Sequence, residues 1–300
     1  MTASDLQSEV LRSLMDDAGL SLDQLILVGI SGGPDSLCLF DLMADAGWNI
    51  AAAHLDHSLR PGSAHEARVV REWVEARSIP FYSETRDVRA HAGQNKLSLE
   101  EAARDLRYAY LFELAGSVGA AAVAVGHHAD DQVETVLMHF LRGSGLRGLR
   151  GMQATGYLAQ YSPRIPLVRP LLNVWRSQIL AYCREKAFVP IEDETNLDPS
   201  MMRNRIRLEL VPELESYNPR IREIISRSAK VFAGNEQLLD EYLQNTWDLA
   251  VAGAAESWIR FDAQKFADCS PPMQRLLVRK AVFQLDPGLR DYSVENTQML

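Results

Sequence analysis

Residues 31–36 read Ser-Gly-Gly-Pro-Asp-Ser, between an apolar run (Ile26–Ile30) and a helical pattern that begins at Asp35. A turn from strand to helix leaves several backbone N–H groups without intrahelical partners, and these donors, with the helix dipole, attract an anion. Gly32 and Gly33 lack a Cβ, so a phosphate can approach the main chain closely. Ser31 and Ser36 add hydroxyls, and Pro34 is tolerated in a first helical turn. The lysine of the GxxxxGK[ST] phosphate loop is missing, and Asp35 stands in the loop instead. A carboxylate inside an anion site implies a bridging Mg²⁺. Such a loop suits cleavage between α- and β-phosphates better than transfer of a γ-phosphate. The alternative is a tight strand–helix turn that binds nothing.

Three other stretches hold side chains capable of chemistry. His54, Asp56 and His57 lie at the end of a second apolar run; His-x-Asp-His on one strand is a poor tetrahedral zinc site, and Asp56 and His57 could simply cap the turn. Arg104 and Arg107 share a helix face, either contacting a triphosphate or ribose or pairing with Glu100 and Glu101 on the surface. Gly126, His127, His128, Asp130, Asp131 and Glu134 form the densest polar stretch. Asp131 with Glu134 reads as an N-cap and N3 pair. The same spacing would turn both carboxylates toward a ligand, to hold a cation or accept a proton from an amine.

The elements that must position these groups alternate. Strands are expected over 24–30, 49–55, 80–84 and 121–125, and helices over 35–46, 63–77, 98–117 and 131–141. Ser98 and Glu101 form a capping-box pattern at the start of the third helix. The alternation implies an α/β fold: a doubly wound, mostly parallel sheet that binds ligands beyond the carboxyl ends of its strands. Residues 142–152, with four glycines and three arginines, read as a loop or an interrupted helix. Residues 167–172 are compact and flanked by proline, and 174–186 are helical. The expected organisation is a catalytic domain over 1–212 and a smaller helical domain over 213–300 without strand alternation. The closing SVENTQML reads as an interrupted helix, so the chain is expected to be a fragment.

The 300 residues are 47% apolar and 24% charged, as in a soluble globular protein. The N-terminus reads as an acidic amphipathic helix, and no apolar run is long enough to span a bilayer. Cys38, Cys183 and Cys269 are far apart, which argues against a disulfide framework or structural zinc and fits a reducing cytoplasm. Net charge is −9, yet residues 142–230 carry 15 Lys+Arg against 9 Asp+Glu. A basic segment in an acidic chain points to a nucleic-acid partner or to a solvated arginine-rich surface.

Together the motifs resemble the PP-loop ATP pyrophosphatase family, whose SGGxDS signature Ser31–Ser36 matches, with the adenine nucleotide α-hydrolase-like fold. Within it, His54–Arg60, Ala103–Leu111, Gly126–Thr135, Arg142–Met152, Arg169–Leu172 and Arg203–Arg207 make an ordered set similar to the lysidine-forming subfamily, over about residues 24–220. The resemblance implies an activity: ATP adenylates C2=O of the wobble cytidine of a tRNA(Ile) with a CAU anticodon. Free L-lysine then displaces AMP, and pyrophosphate is the other product. It implies ATP and Mg²⁺ as cofactors, with Asp35 as the metal-holding residue. Ser31, Gly32, Gly33, Pro34, Asp35, Ser36, His54, Gly126 and His127 are the implied nucleotide-binding positions. Asp35, Arg107, Asp131, Glu134 and Arg203 are the implied catalytic set. It leaves open a homodimer and carries no residues from the C-terminal region. Competing readings are a tRNA thiolase, a small-molecule amidating enzyme of the same family, or a non-catalytic nucleotide- or RNA-binding module.

Overall fold

The computed structural model describes residues 3–58, 63–191 and 201–286. The first apolar run forms strand β1 (Ile26–Gly29), and its residues divide between the two faces of a sheet. Ile26 and Val28 join one buried cluster, and Leu27 joins the other. Strand β2 (Ile50–Asp56) repeats the pattern, with Ile50 and Ala52 on the first side and Ala51, Ala53 and Leu55 on the second. A strand covered on both faces favours apolar residues on both sides, so these runs are near-continuous rather than alternating, His54 and Asp56 at the end of β2 being the polar exceptions.

Strands β3 (Phe81–Thr85), β4 (Ala122–Ala124), β5 (Thr155–Gly156) and β6 (Leu167–Val168) complete a six-stranded sheet of order β3-β2-β1-β4-β6-β5. All pairings are parallel except that of β5 with β6. The compact stretch expected at 167–172 is therefore a short strand and its exit. Chain direction across the sheet reverses between β1 and β4, where a doubly wound sheet opens a crevice beyond its strand ends. The phosphate-loop sequence leaves β1 and the Gly-His-His sequence leaves β4, so both motifs reach that crevice.

Helices cover both faces. On the first side lie α1 (Ala3–Arg12), α2 (Pro34–Asp45) and α3 (Ser63–Glu75), contributing Leu6, Val10, Leu39, Met43, Val70 and Val74 to the core. Helix α4 (Val88–Asn95) was not expected; it is short and buries only Val88 and Ala92. Helix α5 (Leu99–Val118) covers the second side with Tyr108, Leu111, Phe112 and Ala115, and opens on the expected Ser98–Glu101 capping box. Helix α6 (Ala129–Leu141) follows β4, and the glycine–arginine run contains only the one-turn α7 (Leu146–Leu149). Helix α8 (Arg176–Glu185) returns to the first side through Ile179 and Tyr182.

An ionic network fastens α2 to α8. Buried Asp41 pairs with Arg77, accepts a hydrogen bond from the Tyr182 hydroxyl at 2.7 Å, and lies 3.6 Å from Lys186 Nζ. Arg77 and Lys186 also donate to Asp45, at 2.6 and 2.7 Å. Asp41→Asn keeps an acceptor for Tyr182 but removes the charge that faces both cations. It is expected to cost about 1.5–3 kcal/mol, read as a lower denaturant midpoint at unchanged m-value. An unaltered midpoint would show that the cations do not depend on Asp41.

The chain divides into compact units at Met1–Ala229 and Lys230–Leu300, beyond the boundary expected at 212. Helices α9 (Met202–Arg205) and α10 (Val211–Tyr217) and the first turns of α11 (Ile221–Ala250) belong to the first unit. Ile206, Val211 and Ile225 pack with Val133 of α6, and Arg222 donates to Asp130 at 2.5 Å. The second unit is not wholly helical. Besides α12 (Ala263–Ala267) and α13 (Pro271–Leu285) it holds an antiparallel hairpin of β7 (Val251–Ala255) and β8 (Trp258–Phe261). Its core is Trp247, Ala250, Met273, Leu277 and Ala281. Alanine and glycine fill β7, so no alternation of large side chains announces it. Among the described residues no helix is long and apolar enough to cross a membrane. Arg60, residues 192–200 and the closing SVENTQML lie outside the described residues.

Candidate active site

The loop after β1 is built as a cradle. Gly32 has φ +88°, a conformation open to glycine, and Gly33 is the N-cap of α2 with Pro34 in the first turn. The Ser36 hydroxyl ties the loop together: it accepts from the Ser31 N–H at 3.1 Å and donates to the Gly33 carbonyl at 3.1 Å. The Ser31 hydroxyl lies 3.2 Å from that of Ser36. From β2, buried His54 donates through Nδ1 to the Ile30 carbonyl at 2.9 Å, so it braces the residue that enters the loop. Asp56 accepts from the Ser58 N–H at 2.8 Å, the turn-capping role.

Gly126, at the exit of β4, sets the floor of the crevice. A Cβ there would lie 2.9 Å from the Asp35 carbonyl carbon and oxygen and 3.0 Å from Ser36 N. The two strand exits touch backbone to backbone, and this brings Asp35 to α6. Asp35 Oδ2 accepts from Arg176 Nη1 at 3.2 Å, while Oδ1 is buried without a hydrogen-bond partner, 3.7 Å from His128 Nε2. Burial pushes the Asp35 carboxyl above its ordinary range, against the opposing pull of His128 and Arg176. The folded chain thus holds this proton more tightly than the unfolded chain. The charged form costs stability above the raised value, and that cost disappears as pH falls through the ordinary carboxylate range. Asp35→Asn is therefore expected to melt higher than the parent protein at pH 7, the two melting temperatures converging toward about pH 4. A variant that melts lower at pH 7 would place the Arg176 pairing ahead of burial.

Helix α6 begins two residues earlier than expected, and its capping pair differs. His128 is the N-cap: its Nδ1 accepts from the Asp131 N–H at 3.4 Å, and the Asp131 carboxylate accepts from the His128 N–H at 3.1 Å. Asp131 is thus the N3 partner, and Glu134 takes no part in capping. Glu134 is 2% exposed and faces two arginines. Arg207 donates to both its oxygens, at 2.6 and 3.1 Å, and Arg203 Nε lies 3.1 Å from Oε2. Arg203 also donates to Thr135 Oγ1 at 3.0 Å. Arg207 is 3.7 Å from Asp131 Oδ1. Burial raises the Glu134 carboxyl, and the Arg207 hydrogen bond works against that rise. The four-residue spacing of Arg203 and Arg207 along one helical run is what aims both at Glu134. Neighbouring Asp130 is structural: it accepts from the Arg176 N–H at 2.8 Å and from Arg222.

The glycine–arginine run is pinned to the same helix. The Gln132 side chain donates to the Arg150 and Met152 carbonyls, at 3.3 and 3.0 Å, and accepts from the Met152 N–H at 2.7 Å. Gly151, at φ +65°, passes so close that a Cβ would fall 2.5 Å from Gln132 Oε1. Arg107 lies with His127 in a separate basic group, Arg107 Nε and His127 Nδ1 both buried without partners. Neither Arg104 nor Arg107 pairs with Glu100 or Glu101; both guanidiniums lie over the Tyr108 ring, at 5.1 and 5.3 Å.

The expected set thus falls into three groups. Ser31–Ser36, His54 and Gly126 form the cradle; Asp131, Glu134 and Arg203 form a charge cluster; Arg107 and His127 stand beside Tyr108. Sequence reasoning named His128 only within the polar stretch after the fourth strand, and did not single out Arg176, Arg207 or Gln132. Arg207 lay inside a quoted motif, whereas Arg176 carries no local signal and meets Asp35 only through the packing of α8.

A PP-loop domain family match covers residues 3–214. The chain is 36% identical over 279 residues to a tRNA(Ile)-lysidine synthase from Dehalococcoides mccartyi, covering 91% of this chain and 59% of that protein. It is 35% identical over 227 residues to one from Gloeobacter violaceus, covering 74% of this chain and 67% of that protein. The chain thus spans little more than half the length of the first of these relatives. A U34-tRNA thiolase from Methanococcus maripaludis superposes with a TM-score of 0.61 over 76% of this chain and 78% of that one. At 15% identity that likeness concerns the fold alone. A cradle at the β1 exit, abutted by the β4 exit and lying within a matched domain of more than two hundred residues, has one explanation by descent: the chain belongs to the PP-loop family, among its tRNA(Ile)-lysidine synthases.

Proposed function

We propose that this chain carries the catalytic domain for joining free L-lysine to C2 of the wobble cytidine of a tRNA(Ile) with a CAU anticodon, consuming ATP and releasing AMP and pyrophosphate. The observation that carries the reading is the contact of Gly126 with Asp35 and Ser36, which sets a phosphate cradle beside the acidic start of α6. The cytidine carbonyl oxygen is a poor leaving group until it is attached to the α-phosphate of ATP. The cradle's amides at 31–36 would hold the departing diphosphate, and its lack of a lysine suits a break between α- and β-phosphates. Mg²⁺ fits here on the donor chemistry: Asp35 offers one buried, unpartnered carboxylate oxygen, and this ion binds through one or two carboxylates with phosphate and water oxygens. When bound it would offset charge on the diphosphate.

Lysine must arrive as a cation and attack as a neutral amine. Both carboxylates of α6 serve this. Asp131 Oδ2 accepts from the His128 N–H at 3.1 Å and lies 3.5 Å from His128 Nε2, while Oδ1 meets Arg207 at the longer distance of 3.7 Å, so Oδ1 keeps capacity for an ammonium group. Glu134, raised by burial, is suited to accept the proton, and Arg203 would return to the substrate's negative charge what it now gives to Glu134. The basic run at 142–152, held by Gln132, supplies cations for the anticodon loop.

The thiolase reading fares worse on chemistry. Cys38 and Cys183 are buried, and desolvation raises both thiols, Cys183 to about 11. A reactive sulfur needs the thiolate.

Mass analysis of nucleosides from tRNA incubated with the protein, ATP and isotopically labelled lysine tests the proposal. Labelled lysidine, formed together with AMP and pyrophosphate, is the expected product. ADP with orthophosphate, or an unmodified cytidine despite nucleotide turnover, would overturn it.

A further inference from the structure

Beyond the cradle and the acidic cluster, the first unit holds a group of cations without an ion-pair partner among the described residues. Arg104 and Arg107 of α5 lie over the Tyr108 ring. Arg169 follows β6, the strand beside β4, and its charge, like theirs, acts on Tyr108 and on His127. Arg169 is 6% exposed; its Nη1 donates to the Gln153 carbonyl at 2.7 Å, but its Nε is buried without a partner. The Tyr108 hydroxyl, on a residue 1% exposed, faces Arg107 and Arg169 without a hydrogen bond of ordinary geometry, and Arg107 Nε and His127 Nδ1 are unpartnered. The nearby acid on α5, Asp105, is engaged by His91 at 2.8 Å and by the Tyr161 hydroxyl at 2.6 Å. Among the described residues none of the three guanidiniums has an ion-pair partner.

Three like charges in one neighbourhood repel, and each buried donor left unmade costs free energy. Stacking on Tyr108 satisfies the flat faces of two guanidiniums but none of their N–H groups. An anion brought from outside would satisfy both demands at once. We infer that Arg104, Arg107, Arg169, the Tyr108 hydroxyl and His127 form a second oxyanion site, separate from the 31–36 cradle, that binds a phosphate group of the substrate. Its place at the exits of β4 and β6 puts it on the ligand-bearing edge of the sheet, one residue after Gly126. Guanidinium forks match phosphate oxygens in pairs, which lysine would not. The phosphate has two possible sources, an RNA phosphodiester or the nucleotide. The inference leans on the proposed function only in expecting a phosphate-bearing substrate, and a binding measurement keeps it apart from whether lysine is transferred.

Arg104→Gln, Arg169→Gln and Tyr108→Phe in the full chain, tested for binding of a tRNA anticodon stem-loop and, separately, of ATP without RNA, decide the matter. The expected result is a loss of about tenfold or more, near 1.4 kcal/mol per tenfold, for one of the two ligands. If the stem-loop is the one affected, the slope of log affinity against log salt falls by about 1 per arginine removed, and the phosphate is the RNA's. If ATP alone weakens, the phosphate is the nucleotide's. Arg104 is exposed, so its variant is expected to fold even where the buried Arg169→Gln does not. Unchanged affinity for both ligands in folded Arg104→Gln and Tyr108→Phe overturns the inference.

Discussion

Glu134→Gln is expected to lower lysine incorporation into tRNA by about 10²–10³-fold, the range of a lost proton acceptor, while part of the tRNA-dependent pyrophosphate release survives. The two half-reactions ask different things of α6. On the proposed function, adenylation would need the diphosphate held and the cytidine placed, tasks suited to the cradle and the arginines. Attack by lysine would need an ammonium bound and then deprotonated, tasks proposed for Asp131 and Glu134. An amide at 134 still accepts one hydrogen bond from Arg207 but neither carries charge nor takes a proton. It also leaves Arg203 and Arg207 without their shared counter-charge. Breaking a buried ion pair from one side is costly, so the variant's melting curve belongs beside the kinetics. Rapid-quench measurement of pyrophosphate and of lysidine separates the outcomes. Equal loss of both products in a folded variant would remove Glu134 from the lysine step and make it a brace for Arg203 and Arg207.

Gly126→Ala is expected to raise the KM for ATP by more than tenfold, and to cost about 1–3 kcal/mol of stability as an overpacked contact. The added carbon would sit 2.9 Å from the backbone of Asp35 and 3.0 Å from that of Ser36, and backbone cannot rotate aside as a side chain can. Relief requires the cradle to move relative to β4. That would displace the amides proposed to hold the diphosphate and carry Asp35 away from His128 and Arg176. Gly116→Ala, where an added Cβ meets nothing, serves as a control that leaves ATP use intact. A Gly126→Ala protein with normal affinity for ATP would show that the two strand exits tolerate separation, and that the crevice is not set by this contact.

Much of this architecture was legible because the interactions behind it are local. Apolar runs at 26–30 and 50–53 announced buried parallel strands, since a strand covered on both faces has no polar side to show. The Ser98–Glu101 capping box is a contact between residues three apart, and it forms as read. The start of α6 was misread for a related reason. Asp131 and Glu134 have capping spacing, but His128 and Asp131 have it too, and a histidine side chain can accept from an N3 amide as a carboxylate can. Helix α4 and the β7–β8 hairpin escaped notice because small and polar residues fill them, leaving no periodic apolar face.

The sequence by itself determined the glycine-rich turn after β1, the parallel strands that flank it and the family to which they belong, because glycines, hydroxyls and apolar runs act through neighbouring backbone. Only the tertiary structure decided which charges meet. Arg207 closing on Glu134, Arg176 on Asp35, and three arginines gathering at Tyr108 join residues far apart in the chain. Coulombic pairing depends on distance in space, and that distance exists only once the helices have packed.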